Sequence, residues 1–138
     1  MKDVAVLMHE TVGQMRRQFE QIARPMGITM MQWKALAHLE GSGPLRQVEL
    51  AEALQTSPMT ISDLADRMEA AGLIARYPAP QDNRAKLLEL TKSGRDTIAR
   101  MHAEAEELFA KMFDGCDPDR LAIFHDELSR MSANLGKF

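Results

Sequence analysis

The 138-residue sequence predicts a mainly α-helical fold with one small β-hairpin, an α+β fold. Apolar residues recur at steps of three and four over most of the chain, which is the spacing of one helix face. Ser57 followed by Pro58 is a strong signal for the start of a helix. After that helix, the apolar runs LIARY and LLEL flank the segment PAPQDNRAK at residues 78–86, as two strands joined by a loop would.

Composition limits the classes of function. With 138 residues and 45% apolar content the chain suffices for one domain. No run of eighteen apolar residues and no signal peptide is found, so we expect a cytoplasmic protein without a membrane partner. The sequence has no GxSxG, no GxxxxGK and no glycine-rich turn between strand and helix, so we expect no enzymatic activity and no cofactor.

The distribution of charge matters more than its sum. The net charge of −3 and the pI of about 5.8 argue against a nucleic-acid partner. However, residues 43–95 hold seven cations and seven anions, so the excess of acid lies toward the two ends of the chain. Because salt screens charges beyond about 8 Å, local charge can decide what that middle segment binds.

Two helices are predicted in the first third. An apolar stripe marks the first, which Pro25 and Gly27 end. The stripe consists of Val4, Met8, Val12, Met15, Phe19, Ile22 and Met26. Thr29 and Gln32 have the spacing of a capping box that starts the second helix. Its predicted buried face is Trp33, Leu36 and Ala37, and the GSGP segment at residues 41–44 ends it.

A pair of helices joined by a short turn follows. The first, at about residues 47–54, is expected to pack Val48, Ala51 and Leu54 inward. The second, residues 58–71, has a core face of Ile61, Leu64, Ala65 and Met68 and an opposite face of Met59, Thr60, Ser62, Asp63, Asp66 and Arg67. Short polar side chains at the start of the second helix suit entry into a DNA major groove. The alternative is an ordinary amphipathic surface helix.

The hairpin after this pair makes the arrangement a winged helix. Pro78 and Pro80 stiffen the loop, and the Asp82 carboxylate is placed to bond the backbone or Arg84. We expect Arg84 to enter a minor groove and Lys86 to meet a phosphate. The alternative is a solvated charged turn, which would leave the preceding helix unexplained.

Four motifs in order and spacing resemble the MarR family of bacterial and archaeal transcriptional regulators: LAEAL at 50–54, DRMEAAGLI at 66–74, DNR at 82–84 and LTKSG at 90–94. The resemblance covers nearly the whole chain. It implies a winged helix-turn-helix fold, an obligate homodimer and a palindromic operator whose binding a ligand or oxidant usually relieves. The wing arginine of the family matches Arg84, and Asp82 matches the acid that orients it.

We therefore predict a single domain over residues 1–138, with a winged helix-turn-helix core at about 29–91 and dimerisation helices at 1–26 and 92–138. Independently of the resemblance, two apolar stripes follow the hairpin with heptad spacing. They are Ile98, Met101, Ala105, Leu108 and Met112, then Leu121, Phe124, Leu128, Met131 and Leu135. An intramolecular helical hairpin is the alternative, but one chain offers no layer to cover three long apolar faces, whereas a two-fold dimer does.

The predicted DNA contacts divide into two groups. Met59, Thr60, Ser62 and Asp63, beside the cap Ser57, are expected at base edges, whereas Arg67 and Arg76 are expected on phosphates. Asp63 is a departure from the family, whose members often carry a basic or amide residue there. Its carboxylate either accepts a hydrogen bond from cytosine N4 or pairs with Arg67 four residues on, and we favour the ion pair.

The resemblance also implies a region where an effector would bind. Family pockets imply a neighbourhood of His9, Met15, Arg16, Phe19, Met30, Trp33, Ala37 and His38. In one interpretation Arg16 pairs the carboxylate of a small aromatic or phenolic effector and Trp33 stacks on its ring. In the other, which we favour, Arg16 lies over a dimer interface and Trp33 belongs to the core.

Other classes of function stay open as alternatives. The chain is either a DNA-binding repressor or a winged-helix dimer that binds a protein partner. A metal-responsive regulator would use His9, Glu10, His38, Glu40, His102 and Glu106, although none has a tight ligand spacing. A redox-responsive regulator would use Cys116, but Asp114 and Asp117 beside it disfavour the reactive thiolate, so an inert thiol is the favoured interpretation.

Overall fold

The computed structural model describes residues 1–136. Within them the chain forms six α-helices, one 3-10 turn and three β-strands. In chain order these are α1 (Lys2–Ala23), the 3-10 turn (Arg24–Met26), α2 (Met30–Ser42), β1 (Leu45–Arg46), α3 (Gln47–Ala53), α4 (Pro58–Ala70), β2 (Ile74–Ala79), β3 (Asp82–Leu90), α5 (Lys92–Met112) and α6 (Pro118–Leu135). The chain divides into two compact units, Met1–Glu106 and Glu107–Phe138. Over residues 1–136, no helix combines the length and apolarity that a bilayer span requires.

The predicted start and end signals of the first two helices are confirmed. The backbone N–H of Gln32 donates to Thr29 Oγ1 at 3.2 Å and that of Thr29 donates to Gln32 Oε1 at 2.9 Å, so the capping box forms. Gly27 ends the 3-10 turn at φ 69°, in the left-handed region. The predicted end of α2 within the GSGP segment at residues 41–44 is confirmed, because α2 runs to Ser42 and Gly43 is its C-cap.

The sheet is three-stranded and antiparallel in the order β1-β3-β2. Both wing strands extend further than predicted, since Pro78 pairs with Lys86 and Ala79 with Asp82. Pro78 is tolerated because β2 is an edge strand, where a missing N–H removes no ladder bond on the outer side. Consequently most of the segment predicted as a loop, residues 78–86, is strand, and only Pro80 and Gln81 lie between β2 and β3.

The core of the first unit lies between the helices and the inner face of the sheet. It includes Leu36, Leu50, Ile61, Met68 and Leu88, each at most 1% exposed. The expectation that Val48 packs inward is wrong, because it is 53% exposed and Leu50 is buried instead. A helix of seven residues is too short for its stripe to be determined from spacing alone.

Three of the five residues of one predicted dimer stripe belong to this core. Ile98, Met101 and Ala105 of α5 are at most 6% exposed and pack in the main apolar cluster of a single chain. They are therefore corrected from dimer contacts to core residues. The apolar spacing predicted correctly which residues of α5 share a face. It does not distinguish a face that packs in the core of one chain from a face that packs against a second chain.

The second unit contains α6, which starts at Asp117. The Asp117 carboxylate accepts from the backbone N–H groups of Asp119 and Arg120 at 2.9 and 3.0 Å. None of the residues of α6 is buried. Its large apolar side chains are 38–73% exposed: Ile123, Phe124, Leu128, Met131 and Leu135.

The LTKSG motif joins the wing to α5. The Thr91 hydroxyl donates to the Gly72 carbonyl at 2.6 Å and accepts from the Gly94 N–H at 3.0 Å. The Thr91 backbone N–H also donates to the Leu73 carbonyl at 3.1 Å. Gly94 packs so tightly here that a Cβ atom would lie 2.0 Å from Leu73 O. The motif thus ties the start of α5 to the turn after α4.

Candidate nucleic-acid interface

The start of α4 is fixed by Ser57. Its Oγ accepts from the Thr60 backbone N–H at 3.1 Å, and the two hydroxyl oxygens lie 2.8 Å apart. Pro58 occupies the first helical position, where no intrahelical N–H is needed. The predicted cap is confirmed, and it also holds the Thr60 hydroxyl in a defined position at the end of the helix.

The first two turns of α4 have one buried and one exposed face. Ile61 is fully buried, whereas Met59 is 78% exposed. Thr60, Asp63 and Arg67 are exposed as well, and Ser62 is half-buried. The exposed face at the start of α4 therefore consists of Met59 and short polar or charged side chains.

The wing presents Arg84 on the exposed side of β3. Asp82 Oδ1 accepts from the Arg84 backbone N–H at 2.9 Å, so one of the two predicted Asp82 bonds is present. Among the ion pairs of residues 1–136, none joins Asp82 to the Arg84 guanidinium. The carboxylate therefore shapes the backbone at the tip and leaves the guanidinium in solvent.

A cationic groove of about 590 Å³ lies between α4 and the wing. Its lining is Arg46, Gln47, Val48, Pro58, Ser62, Arg76, Asp82, Arg84, Ala85 and Lys86. Arg76 is bound to two carboxylates outside the lining, so the other three cations, against one carboxylate, make the groove locally positive although the chain is acidic. The groove brings together Ser62, Arg76, Asp82, Arg84 and Lys86 from the predicted contacts.

Sequence reasoning missed Arg46 and Gln47 as groove residues. Arg46 pairs with Leu87 of β3, which carries it to the wing. A strand of two residues has no periodicity to detect, so its pairing could not be anticipated. The available signal was only a lone cation just before a short helix.

Arg76 is bound within the chain. Its Nη2 lies 2.6 Å from Asp66 Oδ1 and also contacts Glu69 Oε2, to which Nε donates at 2.9 Å. The hydrogen bond from Arg76 lowers the pKa of Glu69, and the bond to Glu69 raises the pKa of Arg76. The Arg76 side chain is only 16% exposed. These contacts join β2 to α4 and leave Arg76 poorly placed for the phosphate contact that we predicted.

Asp63 and Arg67 do not form the expected pair. No ion pair within residues 1–136 joins them, despite their i, i+4 spacing on α4. Both line a pocket of about 300 Å³ between α4 and the start of α2, together with Thr29, Met31, Thr60 and Leu64. Surface pairs of this kind contribute little, and two solvated side chains can stay apart at small cost.

Comparison with known proteins identifies this architecture. Residues 28–86, from the start of α2 into the wing, match the model of the MarR family. A mutant of S. aureus MepR superposes with a TM-score of 0.81 and 26% identity, over 95% of this chain and 97% of that chain. Over residues 28–86 the chain is similar to the MarR family. The predicted winged helix-turn-helix fold is thereby confirmed.

A second S. aureus MepR mutant, bound to an oligodeoxyribonucleotide, superposes with a TM-score of 0.69 and 25% identity. The superposition covers 96% of this chain and 97% of that chain. Bordetella bronchiseptica BpsR, whose DNA binding is regulated by 6-hydroxynicotinic acid, superposes with TM-score 0.76 and 27% identity, covering 94% of this chain and 98% of that chain. The HTH-type transcriptional repressor IacR of Pseudomonas putida is 26% identical over 75% of this chain. The chain spans 62% of IacR and 66% of a Bacillus subtilis regulator, YhbI.

The predicted effector neighbourhood does not form one cavity wall. Trp33 is 8% exposed and packs edge-on against Phe19, with ring centroids 4.8 Å apart, so it belongs to the core as we favoured. His9, Arg16 and His38 are exposed, and Met15 and Ala37 are half-buried.

A pocket of about 570 Å³ lies beside this neighbourhood and takes only Met30 from the predicted set. Its lining is Glu20, Ala23, Arg24, Gly27, Ile28, Thr29, Met30 and Met31. The turn between α1 and α2 forms this pocket, and the 3-10 geometry of Arg24–Met26 could not be anticipated from the apolar stripe.

The candidate metal ligands are dispersed. His102 Nε2 lies 2.7 Å from Glu40 Oε2, which joins α5 to α2, but no group of three or more His, Cys, Asp or Glu side chains within residues 1–136 could hold a metal ion. Cys116 is exposed in the segment before α6. Two side chains at the surface form a hydrogen-bonded pair and not a metal site, since a tight metal site needs at least three protein donors.

Proposed function

We propose that this chain is a sequence-specific DNA-binding transcriptional regulator that acts as a homodimeric repressor on a palindromic operator. In this proposal α4 enters the major groove, the wing reaches an adjacent minor groove, and a small ligand modulates the affinity. The core is residues 29–91, and the helices at 1–26 and 92–138 form the dimer. We place its action in the cytoplasm, with no catalytic role.

The cationic groove is the observation that carries the proposal. A phosphodiester strand that leaves the major groove at α4 must pass the base of the wing, where Arg46, Arg84 and Lys86 outnumber Asp82. Each phosphate contact by such cations releases counterions, which favours binding in a salt-dependent way. A S. aureus MepR mutant with the same fold is bound to an oligodeoxyribonucleotide, which supports DNA as the partner.

The roles of individual residues follow from these contacts. Met59, Thr60, Ser62 and Asp63 face the bases, and Arg84 enters the minor groove beside Lys86. We replace the predicted phosphate role of Arg76 with a positioning role, because its guanidinium already binds Asp66 and Glu69. Arg46 takes the phosphate contact in its place, since it lines the groove and its side chain is bound to no carboxylate within residues 1–136.

Exposed apolar residues support the dimer. In α1 the exposed residues are Val4, Val6, Leu7 and Val12, at 49–63%. In α6 they are Ile123, Phe124, Leu128, Met131 and Leu135. Apolar faces of this extent on a single chain favour association with a second copy, which removes them from water. A two-fold dimer would also set two α4 helices about 34 Å apart, the spacing of successive major grooves.

Control by a small ligand is the last part of this proposal. BpsR, a relative of this chain at 27% identity, is regulated by an aromatic acid. The pocket that Met30 lines, next to the turn between α1 and α2, offers about 570 Å³, enough for a ligand of that size. An Arg24 side chain at its wall is suited to pair a carboxylate.

A mobility-shift assay tests the function. The protein is titrated on the duplex upstream of its own gene and on a scrambled duplex of equal length, at two salt concentrations. We expect retardation of the first at concentrations at least tenfold lower, weakening as salt rises. Equal retardation of both duplexes contradicts sequence specificity. No retardation at low salt contradicts DNA binding and favours the alternative of a protein partner.

The dimer is tested separately by light scattering coupled to size-exclusion chromatography. We expect twice the chain mass of 15.5 kDa for the wild type. Replacing Phe124 and Leu128 by Glu together should shift the mass toward one chain, because charged side chains disfavour burial in an apolar interface. A wild type that elutes as one chain at all concentrations contradicts the dimer.

A further inference from the structure

α4 has three acidic residues, and only Asp63 lies in its first two turns. It lies four residues after Met59 and three after Thr60, so the three share a face of the helix. Ile61 lies on the opposite face and is buried. Asp63 itself is exposed.

No cation within residues 1–136 neutralises Asp63 through an ion pair. The other two acids of α4, Asp66 and Glu69, both bind Arg76. Arg67, four residues after Asp63, makes no pair with it. Asp66 and Glu69 therefore have a structural role, because they join α4 to β2 through Arg76. Asp63 has no such ion-pair partner within the described residues.

A carboxylate on a surface that approaches DNA is repelled by the phosphates, so its presence there requires a favourable contact. An ionised carboxylate can only accept hydrogen bonds. In the major groove, guanine presents two acceptors, thymine an acceptor and a methyl group, and adenine an acceptor beside its amine. Cytosine presents its N4 amine as a donor, so it is the base edge that best matches a carboxylate.

We propose that Asp63 reads cytosine in each operator half-site by accepting a hydrogen bond from the N4 amine. The inference rests on the proposed function and deepens it, because it names one base and the residue that selects it. Asp63 excludes guanine and thymine by repulsion between acceptors as much as it favours cytosine. One mismatched base pair in a specific site typically weakens binding by roughly 5- to 150-fold.

The test is selection of binding sites from a random duplex library by the wild type, by D63N and by D126N. D126N removes the same charge from α6 in an isosteric way, where the side chain is 80% exposed. We expect a wild-type motif with one C·G pair per half-site whose replacement weakens binding at least about fivefold. D63N should lose that preference or prefer A·T there, because an amide can pair adenine N6 and N7. D126N should select the wild-type motif.

A chemical substitution in the DNA sharpens the test. Replacing the selected cytosine by N4-methylcytosine removes one amine hydrogen, and it should weaken the wild type more than D63N. Thermal unfolding of both variants confirms that they fold. If D63N selects the wild-type motif with the same discrimination, or binds every duplex more tightly by the same factor, the inference is wrong while the proposed function stands. If the wild type enriches no motif, the proposed function itself fails and the inference with it.

Discussion

Replacing Gly94 by alanine tests how the LTKSG motif joins α5 to the wing. Gly94 lies in the first turn of α5 and is buried. The added Cβ would lie 2.0 Å from Leu73 O and 3.1 Å from Leu73 C, both backbone atoms, and 3.3 Å from Leu90 Cδ2. Ordinary contacts start at 3.4 Å, so the carbonyl and the helix must separate by about 1.4 Å.

The size of the effect follows from these distances. Overpacking that moves backbone costs about 1–3 kcal/mol. The displacement also lengthens the bond from the Thr91 N–H to Leu73 O, now 3.1 Å, which adds about 0.5–1.5 kcal/mol. Alanine returns up to about 1 kcal/mol through its higher helix propensity. We therefore expect G94A to lower the free energy of unfolding by about 0.5–4.5 kcal/mol.

Gly41→Ala is the matched control, because Gly41 lies in α2 with nothing within 4 Å of the added Cβ. It should raise stability by a few tenths to about 1 kcal/mol. Urea unfolding followed by circular dichroism measures both, at one protein concentration because a dimer's stability depends on it. A G94A protein as stable as the wild type would refute the close approach of α5 to Leu73.

Three further predictions concern stability. In urea unfolding, Leu50→Ala should lower the free energy of unfolding by about 2–5 kcal/mol and Val48→Ala by less than about 0.5 kcal/mol, because only Leu50 is buried. Equal losses for the two variants would contradict the orientation of α3. Thr29→Ala should cost about 1 kcal/mol in thermal unfolding by breaking the capping box, and no change would contradict it. Glu69 has a lowered pKa, so its bond to Arg76 stabilises the fold at neutral pH and is lost as the pH falls through that lowered pKa. Its Gln variant should lose less stability on acidification than the wild type, and parallel pH profiles would contradict that role.

Local signals predicted the fold well where a few neighbouring residues decide the structure. The capping box at Thr29 and the cap at Ser57 form as expected, because each depends on residues three positions apart. The core face of α4 is also as predicted, since thirteen residues define a helical stripe clearly.

Features that depend on distant parts of the chain were not predictable. Arg76 was expected on phosphate, but its partners Asp66 and Glu69 come into reach only when β2 folds back along α4. Arg46 entered the groove through the pairing of a two-residue strand with β3. In both cases the sequence showed the charge and not its neighbours.

The apolar stripe of α5 illustrates the same limit. Spacing identifies which residues share a face, but a core and a dimer interface have the same periodicity. Ile98 and Met101 turned out to be core residues of one chain. Only the three-dimensional packing separates them from the exposed residues of α6.

The salt dependence of DNA binding tests the central claim, which is that cationic side chains of the groove and of the wing tip bind the DNA backbone. Affinity for the selected duplex is measured by fluorescence anisotropy over a range of salt for the wild type, Arg84→Ala and Lys111→Ala. Lys111 carries the same charge but belongs to the other compact unit and does not line the groove. We expect the slope of log affinity against log salt to flatten by about one unit per wing for Arg84→Ala and to stay unchanged for Lys111→Ala. Equal slopes for all three proteins would contradict it.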